Sequence, residues 1–368
     1  VSPLYCRIAD MKRVDRLMHQ AIEDRIFPGG VLLVSRDNRI EFFEAYGCAD
    51  LFSGAPVTKE TLYDLASLTK PLATTLAVMQ LIQESRLSLD QPVVSVLPRF
   101  LDPRMSRVTV RHLLAHSSGL SDYRPYYLNL RQFPLKERKE QLEKMLTRER
   151  LVCVPGKQVL YSDMGFMILR WIIETISGQR LDHFLSEFLY HPLGLKRLFF
   201  IDLNQPACHD NIAATELCAW RNTLLKGKVH DDNAFITGGI DGHAGLFGAA
   251  ADVARLISVL LSDYRGQSGQ SFFNSNLIQD FWSRQTPSGR ALGFDMPSAD
   301  GASCGYFFSK TSVGHLGYTG TSFWIDPEQS IFIVLLTNRV HPSRYHVGIR
   351  GFRPHIHNEI MINMGLSI

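Results

Sequence analysis

The chain has 368 residues, room for one large domain or two ordinary ones. Its 45% hydrophobic and 20% charged residues are a globular balance, which excludes a disordered or low-complexity chain. The net charge of +3, from 39 basic and 36 acidic residues with no basic block, argues against nucleic acid as a partner.

Six cysteines lie scattered at Cys6, Cys48, Cys153, Cys208, Cys218 and Cys304, none in a Cys-x-x-Cys pair. They read neither as a disulfide framework nor as a zinc site. Such thiols favour a reducing, cytoplasmic compartment. No secretory leader is read; a leader removed ahead of Val1 would place the chain in the periplasm instead. No apolar run reaches the ~18 residues of a membrane span.

In chain order, residues 11–26 have the spacing of an amphipathic helix, ended by Pro28-Gly29-Gly30. Two extended runs follow, Val31 to Ser35 and Ile40 to Phe43, with a hairpin turn over Arg36-Asp37-Asn38-Arg39. A short extended run, Thr61 to Leu65, leads into Ala66-Ser67-Leu68-Thr69-Lys70. Leu72, Leu76, Met79 and Ile82 then fall on one helical face, so Ser67 opens a helix and Lys70 stands one turn on, on the same side. From Leu87 helical patterns dominate. Arg111 to His116 is a short helix, the charge-dense stretch from Lys136 to Arg150 a solvated helix face, and Met164 to Ile176 and Ala250 to Leu261 are apolar helices. Strand patterns return at Ser312 to Gly317, Thr321 to Asp326 and Ile331 to Leu336. A last helix is expected from Pro354 to Met364, with His355 and His357 at its surface. Strands at both ends with helices between predict an α/β (α+β) domain, residues 1–88 plus 285–368, holding an inserted mainly helical domain, 89–284, with a cleft between them.

Three elements carry chemistry. The first is Ser67 with Lys70. A serine hydroxyl needs a base or a cation beside it to act as a nucleophile, and a lysine one turn along can be either. The helix N-terminus adds N–H groups where an oxyanion would form. Alone the signal is weak, since Ser-x-x-Lys is expected about once by chance in such a chain. The second is Tyr161-Ser162-Asp163, on a loop ahead of a helix. Near Lys70, the Tyr161 phenol would be biased toward phenolate and could carry the serine proton to the leaving group; the bland reading is a packing tyrosine. The third is His315-Leu316-Gly317-Tyr318-Thr319-Gly320. Gly317 would let a substrate approach the backbone, Tyr318 N–H could join Ser67 N–H as an oxyanion hole, and His315 could hold a substrate carboxylate or assist the tyrosine. The bland reading of His315 is an ordinary strand histidine.

The order Ser-x-x-Lys, Tyr-Ser-Asp, His-x-Gly resembles the penicillin-recognising serine hydrolases, which include class C β-lactamases, D-alanyl-D-alanine carboxypeptidases, D-aminopeptidases and family VIII esterases. The stretches His112 to Leu120, Val229 to Ala234, Gly242 to Phe247 and Gly320 to Pro327 extend the resemblance over nearly the whole chain. It implies a β-lactamase/transpeptidase-like fold with an antiparallel sheet flanked by helices. It implies Ser67 as nucleophile, Lys70 as its activator and Tyr161 as general base then acid. Asp163, His315, Gly317 and Tyr318 would bind substrate. His243 is a candidate substrate contact, with a buried turn as the equal alternative.

Two departures shape the expectation. Asp163 stands where the family usually carries asparagine, so it should hold Lys70 protonated and favour Tyr161 as the base. It also removes an amide donor, which counts against efficient penicillin turnover. His315 replaces a lysine and is only partly charged at neutral pH. Lys310-Thr311-Ser312 is a rival third element without the glycine. The function expected is a serine hydrolase forming an acyl-enzyme at Ser67, on an ester or amide of a small molecule or peptide, β-lactams and cell-wall peptides among them. It would be D,D-peptidase-like or a carboxylesterase, with a true β-lactamase or a weakly catalytic peptidoglycan-binding scaffold as alternatives. No cofactor or metal is expected. His112 and His116, spaced four apart, lack a third ligand and read as structural.

Overall fold

The computed structural model describes residues 11–205, 210–267, 269, 271–298 and 302–366. Its main sheet has six antiparallel strands in the order Ala55–Pro56, Arg39–Asp50, Gly29–Arg36, Ile331–Thr337, Ser322–Asp326, Val313–Leu316. The two centre strands come from opposite ends of the chain and pair Gly30 with Thr337 through Arg36 with Ile331. Asp37 and Asn38 both take positive φ, 49° and 60°, in the two-residue turn expected between the first strands.

The centre strands are apolar over residues 31–34 and 331–336 because both sheet faces are covered. Leu32, Val34, Ile333 and Leu335 pack under Lys12–Glu23 and Ile349–Asn363. Val31, Leu33, Val334 and Leu336 belong to the large core on the other side. The Ala250–Tyr264 helix packs on Gly29–Arg36 and Ile331–Thr337 of the sheet and also on the Ser275–Trp282 helix. The last helix starts at Ile349 and carries Pro354 inside it, ahead of the start expected from the proline. Its His357 is buried, with Nδ1 2.9 Å from Ser303 O, so of the two histidines expected at the surface only His355 is there.

Two local features position the site. The run before Ser67 forms only a two-residue strand, Tyr63–Asp64, and pairs outside the main sheet with Leu246–Gly248. This brings the glycine-rich 238–248 loop beneath Ser67. The helix after Ser67 is not regular: a 3₁₀ turn, Ala66–Leu68, passes through a π turn, Lys70–Thr74, before α geometry begins at Thr75. Pro71 sits in the wide turn and has no N–H to give to an α ladder. Cys48, Cys153, Cys218 and Cys304 are free thiols; Cys6 and Cys208 lie outside the described residues.

Candidate active site

Ser67 follows Ala66, whose φ of 47° lies in the left-handed region and costs about 1 kcal/mol or more for a residue with a Cβ. Asp64 locks this bend. Its carboxylate accepts the Ala66 N–H at 2.8 Å and the His230 N–H at 2.6 Å. The third element is tied to the same segment: Thr319 Oγ1 donates to Asp64 O (2.7 Å) and Thr321 Oγ1 to Leu65 O (3.1 Å). A Cβ at Gly317 would collide with the Thr321 hydroxyl and lie 2.7 Å from Leu65 O. The glycine is needed here for approach of the chain to itself, where the sequence suggested approach of a substrate. Tyr318, half exposed, lines the same cavity as Ser67.

Lys70 is fully buried, and its ammonium is saturated. Nζ donates to Asp163 Oδ1 at 2.7 Å, Ser67 Oγ at 3.1 Å and His243 O at 3.2 Å. Burial pulls its pKa down, but the Asp163 carboxylate and then the Tyr161 phenol outweigh it, and the net shift is upward. Three N–H bonds filled and a raised pKa describe a cation, not a base. Tyr161 lies against it, with Nζ 4.8 Å from the ring centroid. Asp163 is the first residue of the Asp163–Ser177 helix, where a carboxylate is favoured by the helix dipole.

The other residues singled out in the sequence fall around this cluster. His315 is buried on the Val313–Leu316 strand, its ring 6.0 Å from that of Tyr161. Its Nδ1 is 3.0 Å from Leu316 O, and since a carbonyl only accepts, the ring proton sits there. Burial, then the charges of Lys70 and Arg290, hold its pKa well below the usual histidine range. It is a neutral ring with a free Nε2 lone pair. The His243 carbonyl meets Lys70, but its side chain is turned away, with Nε2 2.9 Å from Asp231 and Nδ1 3.6 Å from Asp241. Against the cost of burial, Asp231 and then Asp241 raise its pKa to about 10, so it is an imidazolium. Lys310 is exposed, and its neighbour Thr311 bonds Glu328 beyond the far end of the Ser322–Asp326 strand, away from Ser67. Among the described residues, no group of three His, Cys, Asp or Glu could hold a metal ion.

The site opens on two sides. One is a cavity of about 370 Å³ lined by Tyr123, Asp163, Asp231 and His243, within the range of ordinary small-ligand sites. The other, on the His315 side, is lined by Arg290, Arg339, Arg350 and Arg353 as well as Ser67 and Tyr161. Arg290 pairs with Asp295 and stacks over Tyr161, 5.3 Å from the ring centroid. Arg339 donates to the carbonyls of Tyr318, Arg344 and His346, and Arg353 to those of Gly317 and Thr321. Among the described residues neither has a carboxylate partner. Burial and then the charge of Arg339 lower the Arg353 pKa to about 9, a sign that the cations crowd one another. The sequence reading missed these arginines. They lie at irregular spacing over sixty residues, and only folding gathers them.

This arrangement of a serine on a strained turn, a saturated lysine cation and a tyrosine against it defines the site of a serine acyl-transfer enzyme. The family comparison agrees with it: the chain belongs to the Beta-lactamase family, whose model matches residues 14–353. It is a serine hydrolase of that family. The chain is 33% identical over 360 residues to a protein of Escherichia coli (strain K12) named "Putative D-alanyl-D-alanine carboxypeptidase", covering 90% of this chain and 82% of that one. Among solved structures, its fold is similar to "EstCE1, a hydrolase with promiscuous acyltransferase activity" (TM-score 0.72, 24% identity, 93% and 98% coverage). It is also similar to an octameric penicillin-binding protein homologue from Pyrococcus abyssi (TM-score 0.73, 23% identity, 97% and 78% coverage).

Proposed function

We propose that the enzyme removes a carboxylate-bearing leaving group from a short cell-wall-type peptide, as a D-alanyl-D-alanine carboxypeptidase does, with Ser67 as nucleophile. The observation that carries this reading is the arginine-lined side of the cleft, where Arg339 and Arg353 lie near Ser67 and lack carboxylate partners among the described residues. A buried guanidinium without a counter-ion is costly, and a substrate carboxylate relieves that cost. His315, neutral with its lone pair free, is poorly suited to a carboxylate; the guanidiniums take that role.

In this mechanism Ser67 Oγ attacks the scissile carbonyl. Lys70 stays charged and stabilises the developing alkoxide, while Tyr161 accepts the serine proton and delivers it to the leaving group. The N–H groups of Ser67 and Tyr318 bind the oxyanion. Water then attacks the acyl-enzyme by the reverse proton path. The similarity to a protein named as a carboxypeptidase supports the peptide as substrate class.

One observation favours a second reading, an esterase. Asp163 spends its carboxylate on Lys70 and has no N–H to offer the amide oxygen on the acyl side. The two readings separate in one experiment: kcat/KM for an N-acylated D-alanyl-D-alanine, its C-terminal amide, and p-nitrophenyl acetate, with Ser67→Ala beside each. Preference for the free carboxylate over the amide is expected. Turnover of the ester alone, or equal rates on acid and amide, would overturn the peptidase reading. Undiminished ester hydrolysis by Ser67→Ala would overturn the site itself.

A further inference from the structure

The proton path needs a tyrosine held to within a few tenths of an ångström, yet Tyr161 stands on a stretch, 151–162, without helix or strand. What fixes it is His116. The His116 carbonyl accepts the N–H of Leu160, the residue before Tyr161, at 2.9 Å. Its Nδ1 accepts the N–H of Ser162, the residue after, at 3.0 Å. Between these two bonds its imidazole stacks on the phenol ring, with centroids 4.4 Å apart and planes inclined by 30°. The other side of the imidazole meets Phe166 at 5.2 Å. Ser162 Oγ adds a bond to Ser121 O at 2.6 Å, so the loop is pinned on the same side.

We propose that His116 is the positioning residue for Tyr161, gripping the chain on both sides of it and fixing the plane of its ring against Lys70 in the cavity that Ser67 lines. This rests on the reading of Tyr161 as the proton carrier. Three features favour positioning over simple packing. His116 takes a φ of 55°, a left-handed conformation that costs any residue with a Cβ some energy. Accepting at Nδ1 requires a neutral ring with its proton on Nε2, and burial, then the charges of Arg290, Lys70 and His315, keep the ring neutral. That Nε2 is buried and unpartnered, a cost that stability alone does not explain.

The test is a double-mutant cycle of His116→Asn, Tyr161→Phe and the pair, read as kcat and KM for p-nitrophenyl acetate. Asparagine tolerates the left-handed backbone and keeps an acceptor but loses the stack. His116→Asn should lower kcat by ~10- to 100-fold with KM nearly unchanged. In the Tyr161→Phe background it should cost nothing further. Equal, additive losses in both backgrounds would overturn the proposal and leave His116 a packing residue. Full activity of Tyr161→Phe alone would overturn instead the assignment of Tyr161, and this proposal with it. Should His116→Asn not fold, His116→Gly, which suits the left-handed backbone and loses both the stack and the acceptor, enters the same cycle with the same expectation.

Discussion

At the scale of single residues, the protonation states set the chemistry. Asp163 raises the Lys70 pKa and occupies one of its three N–H groups. In Asp163→Asn the burial of Lys70 would remain without that opposing charge, so its pKa should fall, and an amide donor would appear on the acyl side. Formation of a penicilloyl adduct, followed by intact-protein mass, should quicken by ~10-fold or more. An unchanged rate would remove the basis for treating Asp163 as the bar to β-lactams. His243 gives a pH prediction. Its pKa is raised from 6.5 to about 10 in the fold, so its contribution to stability is complete below pH 6.5 and is lost as pH climbs through about 10. The native Tm should therefore drop across that window, and His243→Gln should be less stable at pH 7 with a flatter profile. A parallel pair of profiles would contradict the imidazolium assignment.

At the scale of elements, the nucleophile turn and the segment after the Val313–Leu316 strand are held together by close backbone approach and by the Thr319 and Thr321 hydroxyls. Gly317 permits that approach to Leu65 O and Thr321. Gly317→Ala should cost ~1–3 kcal/mol in denaturant unfolding and a larger fraction of activity, because the strand must retreat from the turn that carries Ser67. A stable variant with native kcat would show the contact to be slack. The chain's local spacing foretold that Ser67 and Lys70 would be neighbours, and they are, at 3.1 Å. It did not foretell the 3₁₀ turn that carries Ser67 or the π turn that begins at Lys70. A single residue's missing N–H, at Pro71, redirects the ladder while the i, i+3 contact survives.

At the scale of the whole molecule, the two sides of the cleft differ in charge: Asp163, Asp231, Asp232, His243 and Arg344 mix both signs on one side of Ser67, and four arginines face a single carboxylate, Asp295, on the other. Arg350 is exposed at the start of the Ile349–Asn363 helix and can be altered without disturbing the core. Arg350→Gln should lower kcat/KM by about 10-fold for a peptide with a free terminal carboxylate and leave its amide untouched. Equal effects on acid and amide would place the carboxylate elsewhere. The boundaries expected from sequence, 1–88 plus 285–368 around 89–284, followed the return of strand patterns. They could not register that the Ala250–Tyr264 helix packs on the sheet, since an apolar helical face does not say what covers it.

The antiparallel sheet followed from the family resemblance; the sequence by itself determined the three motifs, their order and the strands at both ends of the chain. Each rests on local spacing or on alternation, which the chain carries wherever it folds. The Lys70 charge is expected from Asp163 in the place of the family's asparagine; the other charges only the tertiary structure decided. Lys70 is a saturated cation because Asp163, distant in sequence, reaches it. His315 is neutral and His243 charged because one is buried near cations and the other between two carboxylates. The arginines meet because strand, loop and terminal helix converge on one cleft. Electrostatic environment depends on distance through space and on burial, and neither is written in the spacing of residues along a chain.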